Sequence, residues 1–155
     1  MKRDFTQRFG FLVNDVAKLH GEAFDRLARE RIGLSRAQCR LLGVLAMNDD
    51  EAALSQTELA QRLGLSTMAV ATLCDRMVAA GWIRREPSAT DRRVNQIHLE
   101  ASASKALDGA LTISDSLQAR TLSVLEPAER VQLIALLGKV RSGLVASASE
   151  SEAKE

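Results

Sequence analysis

The sequence predicts a mainly α-helical protein that carries one small β-hairpin. Apolar residues recur every three or four positions through most of the 155 residues, which is the period of amphipathic helices. Between Trp82 and Leu99 that period is lost, and two short segments that suit strands flank a stretch of turn-forming residues. Hydrophobic residues make up 46% and charged residues 26% of the chain, a balance that indicates one soluble globular domain.

The N-terminal third predicts two helices. Residues 5–32 carry one apolar stripe, and Gly33 ends this first helix. Because about seven turns is long for a small domain, we expect a second apolar partner for this helix, such as another chain. Ser35 is a suitable N-cap for the second helix, which is predicted to run to about Met47.

Two shorter helices follow, joined by a tight turn. Ser55 and Glu58 have the spacing of a capping box at the start of the first, which Gly64 ends. Ser66 is predicted to cap the second, which runs to about Ala80 before Gly81 stops it. Two short helices around a glycine turn are typical of a helix-turn-helix, although a plain helical corner gives the same pattern.

The predicted hairpin comes directly after the helix-turn-helix. Its strands cover about 82–86 and 94–99, and its loop carries Arg92 and Arg93. A helix of this motif fits the major groove of DNA, and an arginine loop can reach the adjacent minor groove. Residues 55–99 hold six arginines and four acids, a net charge of +2 that an ordinary solvated surface also explains. The pattern therefore favours a winged helix-turn-helix that binds DNA.

The C-terminal part predicts two more helices, over 102–125 and 127–146. Pro127 suits the first position of the second helix. Residues 147–155 hold no bulky apolar side chain and predict a disordered tail.

Several classes of function are disfavoured. No stretch approaches the ~18 apolar residues of a membrane span, and the N-terminal apolar run is too short for a secretory signal, so we expect a cytoplasmic protein without a membrane partner. Cys39 and Cys74 are 35 positions apart with no CxxC motif, and the histidines are His20 and His98, so we expect no metal site and no cofactor. Because no catalytic set or phosphate loop is visible, we also expect no enzyme.

Five segments together resemble the MarR family of regulators. They are Leu34-Ser-Arg-Ala-Gln38, Ser55 to Leu65, Leu73-Cys-Asp-Arg-Met77, Gly81-Trp-Ile-Arg-Arg85 and Asp91-Arg-Arg93. Within that family the sequence looks closest to the SlyA-like group. The resemblance implies a helical dimerisation region over 1–33 and 101–146 and a winged helix-turn-helix over 34–100. The function it implies is that of a homodimeric transcriptional regulator, expected to be a repressor that a small effector releases from DNA.

The resemblance also implies which residues meet DNA. They are Thr57, Ser66, Thr67, Met68, Ala69, Thr72, Arg76, Arg92 and Arg93. Arg92 would enter the minor groove, and Arg93 would brace the wing against Asp91 or Asp75. Relatives often carry an arginine at the position of Thr72. Because threonine cannot make the bidentate contact to guanine that arginine makes, we expect a palindromic, A·T-rich operator. The alternative is a winged helix that contacts proteins and not DNA. That alternative would be favoured if acidic side chains paired with Arg84, Arg85 and Arg92.

Effectors of such regulators, often aromatic acids or phenols, lie between the dimer base and the DNA-binding lobe. The resemblance points to His20, Phe24, Cys39 and Arg40 as effector contacts, since a cation beside an apolar wall suits the carboxylate of an aromatic acid or a derivative such as its thioester. Plainer interpretations stay open: His20 at the core boundary, Phe24 in the core and Arg40 paired with an acid. A redox role for Cys39 is also left open.

Overall fold

Six α-helices and a three-stranded antiparallel sheet make up residues 4–48, 53–88 and 94–152, the part of the chain that the computed structural model describes. The predicted mainly α fold with a small β wing is confirmed. The elements in chain order are α1 (Phe9–Ile32), α2 (Arg36–Ala46), β1 (Leu54–Ser55), α3 (Gln56–Leu63), α4 (Thr67–Ala79), β2 (Ile83–Pro87), β3 (Asn95–Leu99), α5 (Ala103–Thr121) and α6 (Pro127–Glu152), with a short 3-10 helix at Leu122–Val124.

The chain separates into two compact units, residues 1–117 and 118–155. The first unit contains the hydrophobic core, in which side chains from α2, α3, α4, the sheet and α5 are excluded from water. Its largest fully buried side chains are Leu41, Leu42, Leu59, Val70, Cys74, Met77, Ile83, Ile97 and Ile113. The second unit consists of the end of α5, the 3-10 helix and α6.

Serine caps begin three of the helices, as the sequence predicts. Ser55 Oγ accepts a hydrogen bond from the Glu58 backbone N–H at 3.2 Å, and Glu58 Oε2 accepts one from the Ser55 backbone N–H at 2.8 Å. Ser35 and Gln38 form the same reciprocal capping box at α2. Each box satisfies backbone donors that a helix N-terminus leaves without an intrahelical acceptor.

The sheet has the strand order β1-β3-β2. Leu54 faces Ile97 on one side of β3, and Arg85 faces the same residue on the other side. The predicted hairpin strands are confirmed within about one residue. β1 is an addition that the sequence did not predict, because two residues are too few to show a period of two.

Two predicted boundaries are wrong at the chain's ends. Helix α1 begins at Phe9 and not at residue 5, because Asp4 Oδ1 accepts hydrogen bonds from the Thr6 backbone N–H and hydroxyl and so favours a turn there. The predicted disordered tail is helical as far as Glu152. No glycine or proline interrupts residues 147–152. Adding residues to a helix that has already formed avoids the cost of nucleation, and alanine and glutamate between the serines are good helix formers.

Two helices expose their apolar residues. In the first half of α1, Phe9, Val16 and Leu19 are all more than half exposed. In α6, Val131 is 73% exposed and none of the span Pro127–Ala148 is buried. By length and composition α6 could also cross a membrane, but a single helix of this kind is weak evidence for that.

Candidate DNA-binding surface and ligand cavity

The helix-turn-helix is built from α3, a glycine turn and α4. Gly64 has φ +66°, a left-handed conformation that glycine adopts without strain, and it ends α3. The Leu65 backbone N–H then donates to the Ala60 carbonyl at 3.0 Å, and Ser66 Oγ accepts from the Ala69 N–H at 3.2 Å. These bonds fix the angle at which α4 leaves the turn.

One face of α4 is exposed while the opposite face packs in the core. Val70, Cys74 and Met77 are buried. The predicted DNA contacts of the helix-turn-helix all lie at exposed positions: Thr57, Ser66, Thr67, Met68, Ala69, Thr72 and Arg76. Met68 is 80% exposed, and the Thr72 hydroxyl donates to the Met68 carbonyl at 3.1 Å. With that hydroxyl donating back into the helix, Met68, Ala69 and Thr72 offer mainly methyl and thioether groups, and Arg76 adds a positive charge one turn further along.

The sheet arginines are paired with acids. Arg84 Nε lies 2.8 Å from Glu86 Oε1, and Arg85 Nη1 lies 2.7 Å from Asp75 Oδ1. Arg85 also donates to the Ala71 carbonyl at 3.4 Å, which ties β2 to α4. The two residues therefore brace the wing and do not form a free basic face.

The wing tip lies outside the described residues. Asp91, Arg92 and Arg93 fall there, so their predicted roles stay predictions. Of the two carboxylates proposed as braces for Arg93, Asp75 already binds Arg85.

The four predicted effector residues line one cavity of about 310 Å³ within the first unit. Helices α1, α2 and α5 form its walls, and His20 and Phe24 are half-buried on the α1 side. The cavity is lined by His20, Phe24, Arg36, Cys39, Arg40, Gly43, Leu107, Ala110, Leu111 and Ser114. Both of its formally charged residues are arginines, so the cavity combines an apolar wall with positive charge.

The family resemblance implies the first, second and fifth helices as walls of the effector site, but Arg36 and the individual α5 residues were not identified from the sequence. Arg36 precedes Arg40 by four positions, which places both on one face of α2, and this spacing could have identified it. A Cβ added at Gly21 would overlap the Arg36 guanidinium, so that group lies directly against α1. The α5 residues carry no such signal, because their contact with α1 and α2 is made only by the tertiary fold.

Cys39 is a poor redox sensor in this setting. Burial, together with the nearby negative charge of Asp25, raises the pKa of its thiol to about 11. Burial also raises the pKa of Cys74. Because the thiolate is the reactive species, both residues behave at neutral pH as small apolar side chains.

Two short helices that join at a glycine turn and pack one face each in the core, together with an adjoining antiparallel sheet, define a winged helix-turn-helix protein. In the described residues no group of three or more His, Cys, Asp or Glu side chains could hold a metal ion.

Comparison with known proteins agrees with this class. The MarR family model matches residues 32–94. The regulator PecS of Dickeya dadantii (strain 3937) is 27% identical over 133 residues, which cover 86% of this chain and 80% of PecS. The winged helix-turn-helix of this chain is therefore similar to that of the MarR family of transcription regulators.

Solved structures share the fold. The MepR–DNA complex of Staphylococcus aureus aligns with a TM-score of 0.72 and 24% identity, covering 87% of this chain and 97% of MepR. Bordetella bronchiseptica BpsR, whose DNA binding is regulated by 6-hydroxynicotinic acid, aligns with a TM-score of 0.73 and 21% identity, covering 91% of this chain and 98% of BpsR.

Proposed function

We propose that the protein is a cytoplasmic homodimeric repressor that an aromatic acid, a phenol or a derivative such as an aromatic thioester releases from a palindromic, A·T-rich operator. The observation that carries the proposal is the cavity, because it brings His20, Phe24, Cys39 and Arg40 together beside the helix-turn-helix. The regulation of BpsR by an aromatic acid supports the same ligand class.

Exposed apolar side chains support the homodimer. Phe9, Val16 and Leu19 in α1, and Val131 and Leu144 in α6, are each more than half exposed in one chain. Large apolar patches are rare on soluble monomers and usually mark an interface. Two subunits related by a two-fold axis would present two α4 helices to half-sites about 34–36 Å apart.

The uncharged residues in the first turns of α4 support an A·T-rich operator. Methyl groups of Ala69 and the threonines, and the thioether of Met68, suit contact with thymine methyl groups. Since Arg84 and Arg85 are engaged by acids, we assign minor-groove binding to Arg92 of the wing.

The proposal is tested by a mobility shift at several salt concentrations on the DNA upstream of the protein's own gene. Affinity should fall as salt rises, because phosphate contacts release counterions. Arg92→Ala should weaken binding to A·T-rich sites by about tenfold, which corresponds to about 1.4 kcal/mol. Arg84→Ala, in β2 outside the dimerisation region, is the matched control and should weaken binding less, because Arg84 is already paired with Glu86. Full affinity in the Arg92 variant would reject the wing assignment.

A thermal-shift screen with aromatic acids, phenols and their coenzyme A thioesters tests the effector. A ligand that stabilises the protein and releases DNA supports the repressor mechanism, since a ligand shifts an equilibrium only by binding its two states unequally. Release of DNA by none of the screened compounds would remove the effector from the proposal and leave DNA binding standing.

A further inference from the structure

The guanidinium of Arg40 joins the ligand cavity to the helix-turn-helix. Arg40 lines the cavity, and its Nη2 donates to the Leu63 carbonyl at 3.1 Å. Leu63 is the last residue of α3, directly before the glycine turn. This carbonyl is one of the four at the helix C-terminus that have no intrahelical donor, and a cation at that end also complements the helix dipole. Arg40 therefore acts as a side-chain cap on α3.

Arg40 is also close to the turn itself. Together with Arg36 it also borders a larger open groove, which Leu65 of the turn lines as well. The guanidinium thus stands between the ligand cavity and the residue that sets the exit of α4.

A carboxylate that binds both terminal nitrogens of this guanidinium would compete with the Leu63 carbonyl for Nη2. The bond to Leu63 carries a charge on the donor only, whereas a bond between a guanidinium and a carboxylate carries charges on both partners and is often bidentate. Binding of an aromatic carboxylate would then favour the arrangement in which Arg40 has left Leu63, while DNA binding needs the capped turn.

We propose that Arg40 is the positioning residue through which an aromatic carboxylate controls the helix-turn-helix, by exchanging the Leu63 carbonyl for the ligand. This inference rests on the proposed effector function. It adds a specific route, since the Arg40–Leu63 bond is present without ligand and lost with it. A neutral ligand of the same shape would occupy the cavity and leave the bond intact.

Arg36 provides a matched control. It lies on the same face of α2, lines the same cavity and carries the same charge, but its guanidinium lies against Gly21 of α1. Arg36→Met and Arg40→Met therefore make the same chemical change in one cavity, and only the second removes a donor to α3.

The experiment measures the coupling between ligand and DNA. The dissociation constants of 6-hydroxynicotinate, 4-hydroxybenzoate and neutral benzamide are determined by calorimetry for the free protein and for the protein saturated with operator DNA. Their ratio is the coupling factor, which does not depend on how tightly the ligand binds the free protein.

For a carboxylate the wild type should show a ratio of about fivefold or more, within the usual range of allosteric coupling. Arg36→Met should keep that ratio even where its affinity for ligand is lower, and Arg40→Met should reduce it to less than about twofold. Benzamide should show a ratio near one in all three proteins. If Arg40→Met binds the carboxylate and keeps the coupling ratio of the wild type, the inference is overturned. The proposal that an aromatic effector releases DNA would still stand.

A second measurement on the wild-type protein needs no variant. Amide hydrogen exchange at Gly64 and Leu65 should become faster when a carboxylate binds and stay unchanged with benzamide. Unchanged exchange with bound carboxylate would overturn the inference. If neither carboxylate binds the wild-type protein, both this inference and the proposed ligand class fail. The binding data distinguish this outcome from one in which the carboxylate binds but exchange at the turn is unchanged.

Discussion

The winged helix and the C-terminal helix α6 place their apolar residues in opposite environments. In the winged helix Leu59, Met77 and Ile83 are no more than 2% exposed, whereas in α6 Val131 is 73% and Leu144 is 66% exposed. Burial of apolar surface drives both folding and association. The winged helix therefore completes its core within one chain, and α6 keeps a surface of the kind that a second subunit would cover.

The largest effect should come from a cavity in the winged-helix core. Leu59→Ala removes a fully buried side chain and should lower the free energy of unfolding by about 2–5 kcal/mol, measured by urea denaturation. The control is Met68→Ala at an 80% exposed position of the same motif, which should change it by less than about 0.5 kcal/mol. Equal losses in the two variants would contradict the description of this core.

A charged substitution tests the role of the exposed apolar residues of α6. Leu137→Asp should weaken dimerisation by about tenfold or more, because an apolar interface disfavours an unpaired carboxylate. Sedimentation equilibrium over a range of concentrations measures the change. Lys139→Asp puts the same carboxylate on the same helix at a position that is already charged, and we expect a smaller effect. A wild-type protein that stays monomeric at every concentration would contradict the expectation that a second subunit covers α6.

A smaller effect is expected at the start of α3. Ser55→Ala removes the acceptor of the Glu58 N–H and should lower the free energy of unfolding by about 1 kcal/mol in thermal or urea melts. Thr57→Ala, two positions further along the same helix, should cost less than about 0.5 kcal/mol in the same melts. If both substitutions cost the same, the loss reflects helix propensity and not the cap.

The smallest effect concerns pH. Hydrogen bonds from the Ser55 backbone N–H and hydroxyl lower the pKa of Glu58 from its ordinary 4.5. A lowered folded-state pKa adds stability above about pH 4.5, and this contribution is lost as the pH falls through the folded-state pKa. Glu58→Gln should therefore melt slightly below the wild type at pH 7, and the difference should shrink at lower pH. A difference that is constant with pH would show that ionisation of Glu58 does not contribute.

Local signals predicted the helix-turn-helix with the smallest errors. The capping box of Ser55 and Glu58, the glycine turn at Gly64 and the cap at Ser66 each act on backbone groups no more than four positions away. The structure has each of them in its predicted role. Errors occurred where local signals are weak: β1 has two residues, and residues 147–152 lack the apolar residues that mark a helix face. Arg85 could not be assigned from the sequence, since its partner Asp75 was settled by the packing of β2 on α4.

By itself the sequence determined where the helices of the winged motif begin and end, because capping and glycine turns depend on neighbours a few positions away. It also pointed, through family resemblance, to two residues on each of α1 and α2 that line the cavity. Only the tertiary structure decided which α5 residues line this cavity and that Arg40 spans the 23 positions to Leu63. Such contacts join residues far apart in the chain, and their geometry follows from how whole helices pack.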